Sequence, residues 1–186
     1  MSGISTTVIE TMIMKTIFLD VDGVLNSPYT KEVTPIGYRG VEDQYIENLQ
    51  YIVQETGADI VLSSDWRFEY DKELGHHGED MLYLMDRLAR FGLHIMDITG
   101  GSSTGTAYTG RGSEIVDWLL NHPAPEHQWV VLDDHMFYDF EESDFRKHVV
   151  QTYKPEQDDG HGRYTKAVWG LTRNRAEKAI WVLESV

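Results

Sequence analysis

The run Ile17-Phe18-Leu19-Asp20-Val21-Asp22-Gly23 constrains this chain more than any other stretch. Consecutive apolar residues suit a strand buried on both faces, and Asp20 at its end sets a carboxylate on the rim of a sheet. Gly23 lets the chain turn sharply just beyond it. Asp22 supplies a second carboxylate two positions after the first. Acids held that close suit a divalent cation, or a nucleophile beside a general acid/base.

Similar apolar runs recur, separated by helical patterns. Thr16–Asp20, Asp59–Ser64, Leu93–Ile98, Gln128–Leu132 and Lys147–Gln151 read as strands. Glu42–Glu55 carries Ile46, Leu49, Ile52 and Val53 on one face and stops at Gly57, while Asp80–Phe91 carries Met81, Leu84 and Leu88 and stops at Gly92. Ser113 suits the N-cap of a helix over Glu114–Leu120, and Arg173–Leu183 closes the chain. This alternation predicts an α/β fold, a Rossmann-like parallel sheet flanked by helices. The 186 residues hold no internal repeat and no dividing linker. The expected organisation is an N-terminal extension (1–14), then a single domain (15–186) with a short flap at about 27–41.

Composition narrows the chemistry. The absence of Cys removes disulfides, thiolate catalysis and Cys-based metal sites. No apolar run approaches the ~18 residues of a membrane span, and Met1–Met14 lacks the cationic start of a signal peptide, so a cytoplasmic protein is expected. The formal net charge of −15 argues against an extended nucleic-acid or anionic-membrane surface. It leaves room for a phosphorylated substrate, because a metal and a few cations can reverse the field inside one pocket.

Three strand ends carry polar groups: Asp20 with Asp22, Ser63-Ser64, and Asp133-Asp134. In an open parallel sheet, ligands bind at that edge. Competing readings weaken on inspection. An EF-hand counted from Asp20 needs an oxygen ligand at Val24, Gly at Leu25 and Glu at Lys31, and all three fail. Gly105–Gly112 has the spacing of a phosphate loop without its Lys or the Ser/Thr that follows. His76-His77, His135 and His161 have no paired metal-ligand spacing. Asp22-Gly23 as a mere hairpin turn leaves the other two strand ends unexplained.

Taken in order, these motifs resemble haloacid-dehalogenase (HAD) superfamily phosphatases. The family's Asp-x-Asp-Gly stands as Asp20-Val21-Asp22-Gly23, its strand-end hydroxyl as Val61-Leu62-Ser63-Ser64, and its cation before a helix as Arg111. Its paired acids stand as Val130-Val131-Leu132-Asp133-Asp134. Ser64-Asp65-Trp66-Arg67, Arg111-Gly112-Ser113-Glu114-Ile115 and Gly170-Leu171-Thr172 are similar to small capless members associated with RNA-repair proteins.

The resemblance implies a Mg²⁺-dependent phosphomonoester hydrolase working through an aspartyl-phosphate, on nucleotides or polynucleotide ends. Asp20 is then the nucleophile and Asp22 the acid/base. Mg²⁺ is held by Asp20, the backbone carbonyl of Asp22, Asp133 and Asp134. Ser64 and Arg111 bind the phosphoryl group, with Ser63 and with Lys154 or Lys166 as alternatives. Tyr29, Trp66 and Arg67 border the substrate, and the flap adds Lys31, Tyr38 and Arg39. A phosphotransferase and a non-catalytic HAD-fold binding domain stay open. Intact acids at Asp20, Asp22 and Asp133 speak against the second.

Overall fold

Side chains alternate across a strand, so a strand buried on both faces feeds two cores. The computed structural model, which describes residues 13–70, 75, 77–100, 110–141, 143–158 and 164–185, is built on that rule. Strand β1 (Ile13–Leu19) is central, between β2 (Asp59–Leu62) and β4 (Glu126–Asp133). Strands β3 (Ile95–Ile98) and β5 (Val149–Gln151) form the edges. The order is β3-β2-β1-β4-β5 and every pairing is parallel. Parallel neighbours need crossover connections. Helices α1 (Asp43–Thr56), α2 (Glu79–Ala89), α3 (Arg111–Asn121) and the short α4 (Ser143–Arg146) lie in them, and α5 (Arg173–Ser185) follows a small antiparallel pair, β6 (Gln157–Asp158) and β7 (Tyr164–Thr165). This is the Rossmann-like α/β architecture that the alternation predicts.

Ile17 and Leu19 face one way, onto Ile46, Leu49 and Ile52 of α1, Leu84 and Leu88 of α2, and Ala179 and Leu183 of α5. Phe18 faces the other way, with Val61 and Val131, onto Ile115 and Trp118 of α3 and onto Phe140. The Phe18 ring meets Trp118 and Trp129 edge-on, at centroid distances of 5.4 and 6.0 Å, a favourable geometry for ring quadrupoles.

Boundaries differ from the sequence reading in informative places. Ile13 and Met14, expected in an N-terminal extension, open β1 and pair with Glu126 and His127; residues 1–12 lie outside the described residues. Strand β2 ends at Leu62, and Asp65–Glu69 form a 3-10 turn instead of continuing outward. Helix α3 begins at Arg111, not after Ser113. Most of the expected loop Thr99–Gly112, with its phosphate-loop-like stretch, lies outside the described residues, as do His76 and His161. Residues 27–41 contain no helix or strand, only an isolated bridge between Val33 and Arg39. The buried Arg87 of α2 ties this segment down, pairing with Glu32 and Asp43, while Tyr83 Oη donates to Glu32 (2.9 Å) and accepts from the Val41 N–H (3.1 Å).

Candidate active site

Strand order decides where the loops part. From β1 the chain moves outward to β2 and β3, then returns to β4 on the other side of β1. Connections leaving β1 and β4 therefore diverge and open a crevice at their C-terminal ends. Register makes those ends level: Leu19 pairs with both Leu62 and Leu132. The ladder runs one residue further, with the Asp20 N–H donating to Leu132 O (2.9 Å) and the Ser63 N–H to Leu19 O (2.8 Å).

Three acids meet there. One carboxylate oxygen from each of Asp20, Asp133 and Asp134 lies within 4.8 Å of the other two. Asp20 and Asp133 are buried and Asp134 is half-buried. Burial pushes the Asp20 carboxyl up to about 7, against the pull of Arg111 and the Ser64 hydroxyl. Burial, then the charge of Asp20, pushes Asp133 up to about 8. Burial also raises Asp134. Asp133 Oδ1 accepts the His135 N–H (2.8 Å), but its Oδ2 is buried with no hydrogen-bond partner. An orphaned buried carboxylate oxygen beside two more acids is a donor set that fits a hard, oxygen-seeking cation.

Asp22 points elsewhere. Its side chain is not one of the three in the cluster. Its Oδ1 accepts from Asn26 Nδ2 (2.8 Å) and its Oδ2 from the Trp66 indole Nε1–H (3.0 Å). Asn26 Oδ1 in turn accepts the Gly23 N–H (2.8 Å). Gly23 is demanded twice: its φ is +72°, and a β-carbon there would lie 2.5 Å from the Asp134 side chain. Its carbonyl accepts from the Thr152 hydroxyl (2.9 Å) and the Gly170 N–H (3.1 Å), so the segment before α5 braces the first loop. Gly170, at φ +79°, lies under the Tyr45 ring, where a side chain has no room.

The hydroxyls separate cleanly. The Ser64 hydroxyl acts on the Asp20 carboxyl and opposes its rise, while the Ser63 hydroxyl accepts from Thr99 Oγ1 (3.4 Å) and faces β3. The cations separate too. Arg111 lies 3.6 Å from Asp20 Oδ1 and 3.6 Å from Asp65 Oδ1, with its guanidinium over the Phe137 ring. Its Nη1 is buried without a hydrogen-bond acceptor. Lys154 and Lys166 are exposed. Arg67, expected at the substrate, is turned inward and 7% exposed: it donates to Ser64 O (2.9 Å) and pairs with Glu114 (3.0 Å), one turn beyond Arg111. Trp66, also expected there, spends its N–H on Asp22. Tyr29 is exposed.

Residues 16–156 match the family model described as the HAD domain in Swiss Army Knife RNA repair proteins. The chain belongs to this HAD family. No curated protein and no solved structure matches it. Membership puts the protein in a superfamily of hydrolases and phosphatases, and supports a phosphatase-like function in general. Among the described residues, no helix is long and apolar enough to cross a membrane.

One residue of this HAD domain escaped the sequence reading. Asp139, in the 3-10 turn Tyr138–Phe140, accepts the Ser113 N–H through Oδ2 (3.1 Å). It caps α3 from outside the helix, which is why the helix starts at Arg111 behind a glycine that cannot cap. Gly110 and Gly112 are the one signal: a β-carbon at either would press on the Asp139 carboxyl. Asp139→Ala is expected to cost about 1 kcal/mol in urea unfolding, as a lost N-cap does, while Asp139→Asn, which keeps an acceptor, costs much less. Equal stability of Asp139→Ala and wild type would remove the capping role.

Proposed function

We propose that this protein is a Mg²⁺-dependent phosphomonoesterase that forms an aspartyl-phosphate on Asp20, with nucleotides or phosphorylated polynucleotide ends as its substrates. One observation carries the reading: Asp20 shares an acid cluster with Asp133 and Asp134 and lies 3.6 Å from an Arg111 Nη1 that is buried without a hydrogen-bond acceptor. That unmet donor beside a nucleophile suits a phosphoryl oxygen.

Each residue then has a task. An Asp20 oxygen attacks phosphorus, and the bond from phosphorus to the leaving oxygen breaks. Asp22 gives that oxygen a proton, then takes one from the water that cleaves the acyl phosphate. Ser64 and Arg111 hold the non-bridging oxygens. The carboxylates of Asp20, Asp133 and Asp134, with the Asp22 carbonyl, would hold Mg²⁺. When bound, the ion supplies positive charge that offsets the crowded acids and the phosphate dianion. Residues 27–41 act as the flap, with Tyr29, Lys31, Tyr38 and Arg39 available to the rest of the substrate. Because the flap is short, the crevice is open enough for the end of a long molecule.

The test is a panel of mononucleotides, 3′- and 5′-phosphorylated oligonucleotides and sugar phosphates, each with Mg²⁺ and with chelator. Phosphate release that needs Mg²⁺, fastest on the nucleotide substrates, is the expected result. Faster turnover of sugar phosphates would overturn the substrate class. No metal-dependent release from any ester would overturn the phosphatase reading.

A further inference from the structure

We infer that Trp66 is a positioning residue for the acid/base Asp22, its indole N–H holding the carboxyl group in a single orientation at the crevice. The inference rests on the proposed role of Asp22 and adds a residue to it. Both Asp22 oxygens accept from neutral donors, Trp66 Nε1 at 3.0 Å and the buried Asn26 Nδ2 at 2.8 Å. Those donors come from different elements. Asn26 belongs to the turn after β1 and locks that turn through the Gly23 N–H. Trp66 is presented by the 3-10 turn after β2, two residues beyond Ser64. Arg67 holds that turn from beneath, through Ser64 O and the buried pair with Glu114. An exposed carboxylate on a loop would otherwise sample several rotamers. Here two fixed donors select one.

The support favours one half of the reaction. As Asp20 bonds to phosphorus, the electron pair of the breaking P–O bond goes to the leaving oxygen, the Asp22 proton goes to the same atom, and Asp22 becomes a carboxylate. The transfer needs the carboxyl group in place at that moment, and the Trp66 N–H keeps it there. A phenolate activated by a nitro group leaves without much need of that proton; an ordinary phenolate or alkoxide does not. Dependence on Trp66 should therefore follow the leaving group.

Trp66→Phe keeps an aromatic ring and removes the N–H. With Mg²⁺ present, kcat/KM on phenyl phosphate is expected to fall about tenfold, and on p-nitrophenyl phosphate, of nearly the same shape, far less. An equal loss on both esters, as a stacking or purely structural role would give, overturns the inference, and so does no loss on either. A second arm needs no turnover: in ¹⁵N-labelled protein, Asp22→Ala should shift the Trp66 indole N–H resonance and speed its exchange with solvent. An unmoved resonance overturns the contact. Should the wild type cleave neither ester, the resonance decides the inference by itself, and the phosphate-release panel on nucleotides decides the acid/base reading separately.

Discussion

Asp20→Asn is expected to lower the proposed turnover by a factor on the order of 10³ or more, while the metal-free protein melts no lower than wild type. Both halves come from the same carboxylate. An amide oxygen is a poor nucleophile, and no second acid can replace it: Asp22 is held by Asn26 and Trp66, and Asp133 is buried on the next strand with its Oδ1 on the His135 N–H. Stability moves the other way because Asp20 is buried against Asp133 and Asp134. Removing one charge from three crowded acids relieves repulsion and a desolvation cost. Phosphate release and a melting curve in chelator measure the two together. Retained turnover ends the assignment of Asp20; lost turnover with a collapsed melting temperature ends the claim that its role is chemical.

Between about pH 4 and about pH 8, Asp20 and Asp133 are expected to make the metal-free protein progressively less stable, and Mg²⁺ to reverse the loss. Unfolded, both carboxyls ionise near the ordinary value of 3.8; folded, burial and mutual repulsion hold them protonated up to about 7 and about 8. Below the unfolded value neither state gains from ionisation, so the raised values cost nothing. As pH climbs through the window, the unfolded chain ionises and the folded one resists, so stability drains away until the folded groups also titrate. Each unit of displacement is worth about 1.4 kcal/mol, so the pair is expected to cost several kcal/mol at the upper end. A divalent cation binds the ionised forms and releases their protons, so its stabilising effect grows with pH. Melting temperatures with chelator and with Mg²⁺, from about pH 5 to about pH 8, measure this. Asp133→Asn is the reference that cancels ionisation elsewhere. A Mg²⁺ shift that is flat in pH, or a wild type that gains on Asp133→Asn as pH rises, would contradict the linkage.

Much of the architecture was legible because it is local. Ile17, Leu19, Ile60 and Leu62 alternate with Phe18 and Val61, and period two assigns them to opposite cores without knowledge of the partners. The stop at Gly57 sits within a residue of the end of α1. Errors fell where a distant group replaced a local one. Ser113 looked like the cap of α3, but Asp139 arrives from the other side of β4 and lets the helix begin at Arg111. Arg67 looked free to meet a substrate, but Glu114 and the Ser64 carbonyl draw it inward.

By itself, the sequence determined the strand-end acids, the glycine after them and the alternation that demands a parallel sheet. Each of these is a statement about neighbours along the chain. Only the tertiary structure decided that Asp134 fills the space a Gly23 side chain would need, that Arg111 rests between Asp20 and Asp65, and that Trp66 is spent on Asp22. Hydrophobic period encodes which face a residue takes, not which strand lies beside it. The latter comes from the register of β1 with β2 and β4, where Leu19 aligns with Leu62 and Leu132 and sets their polar successors on a single edge.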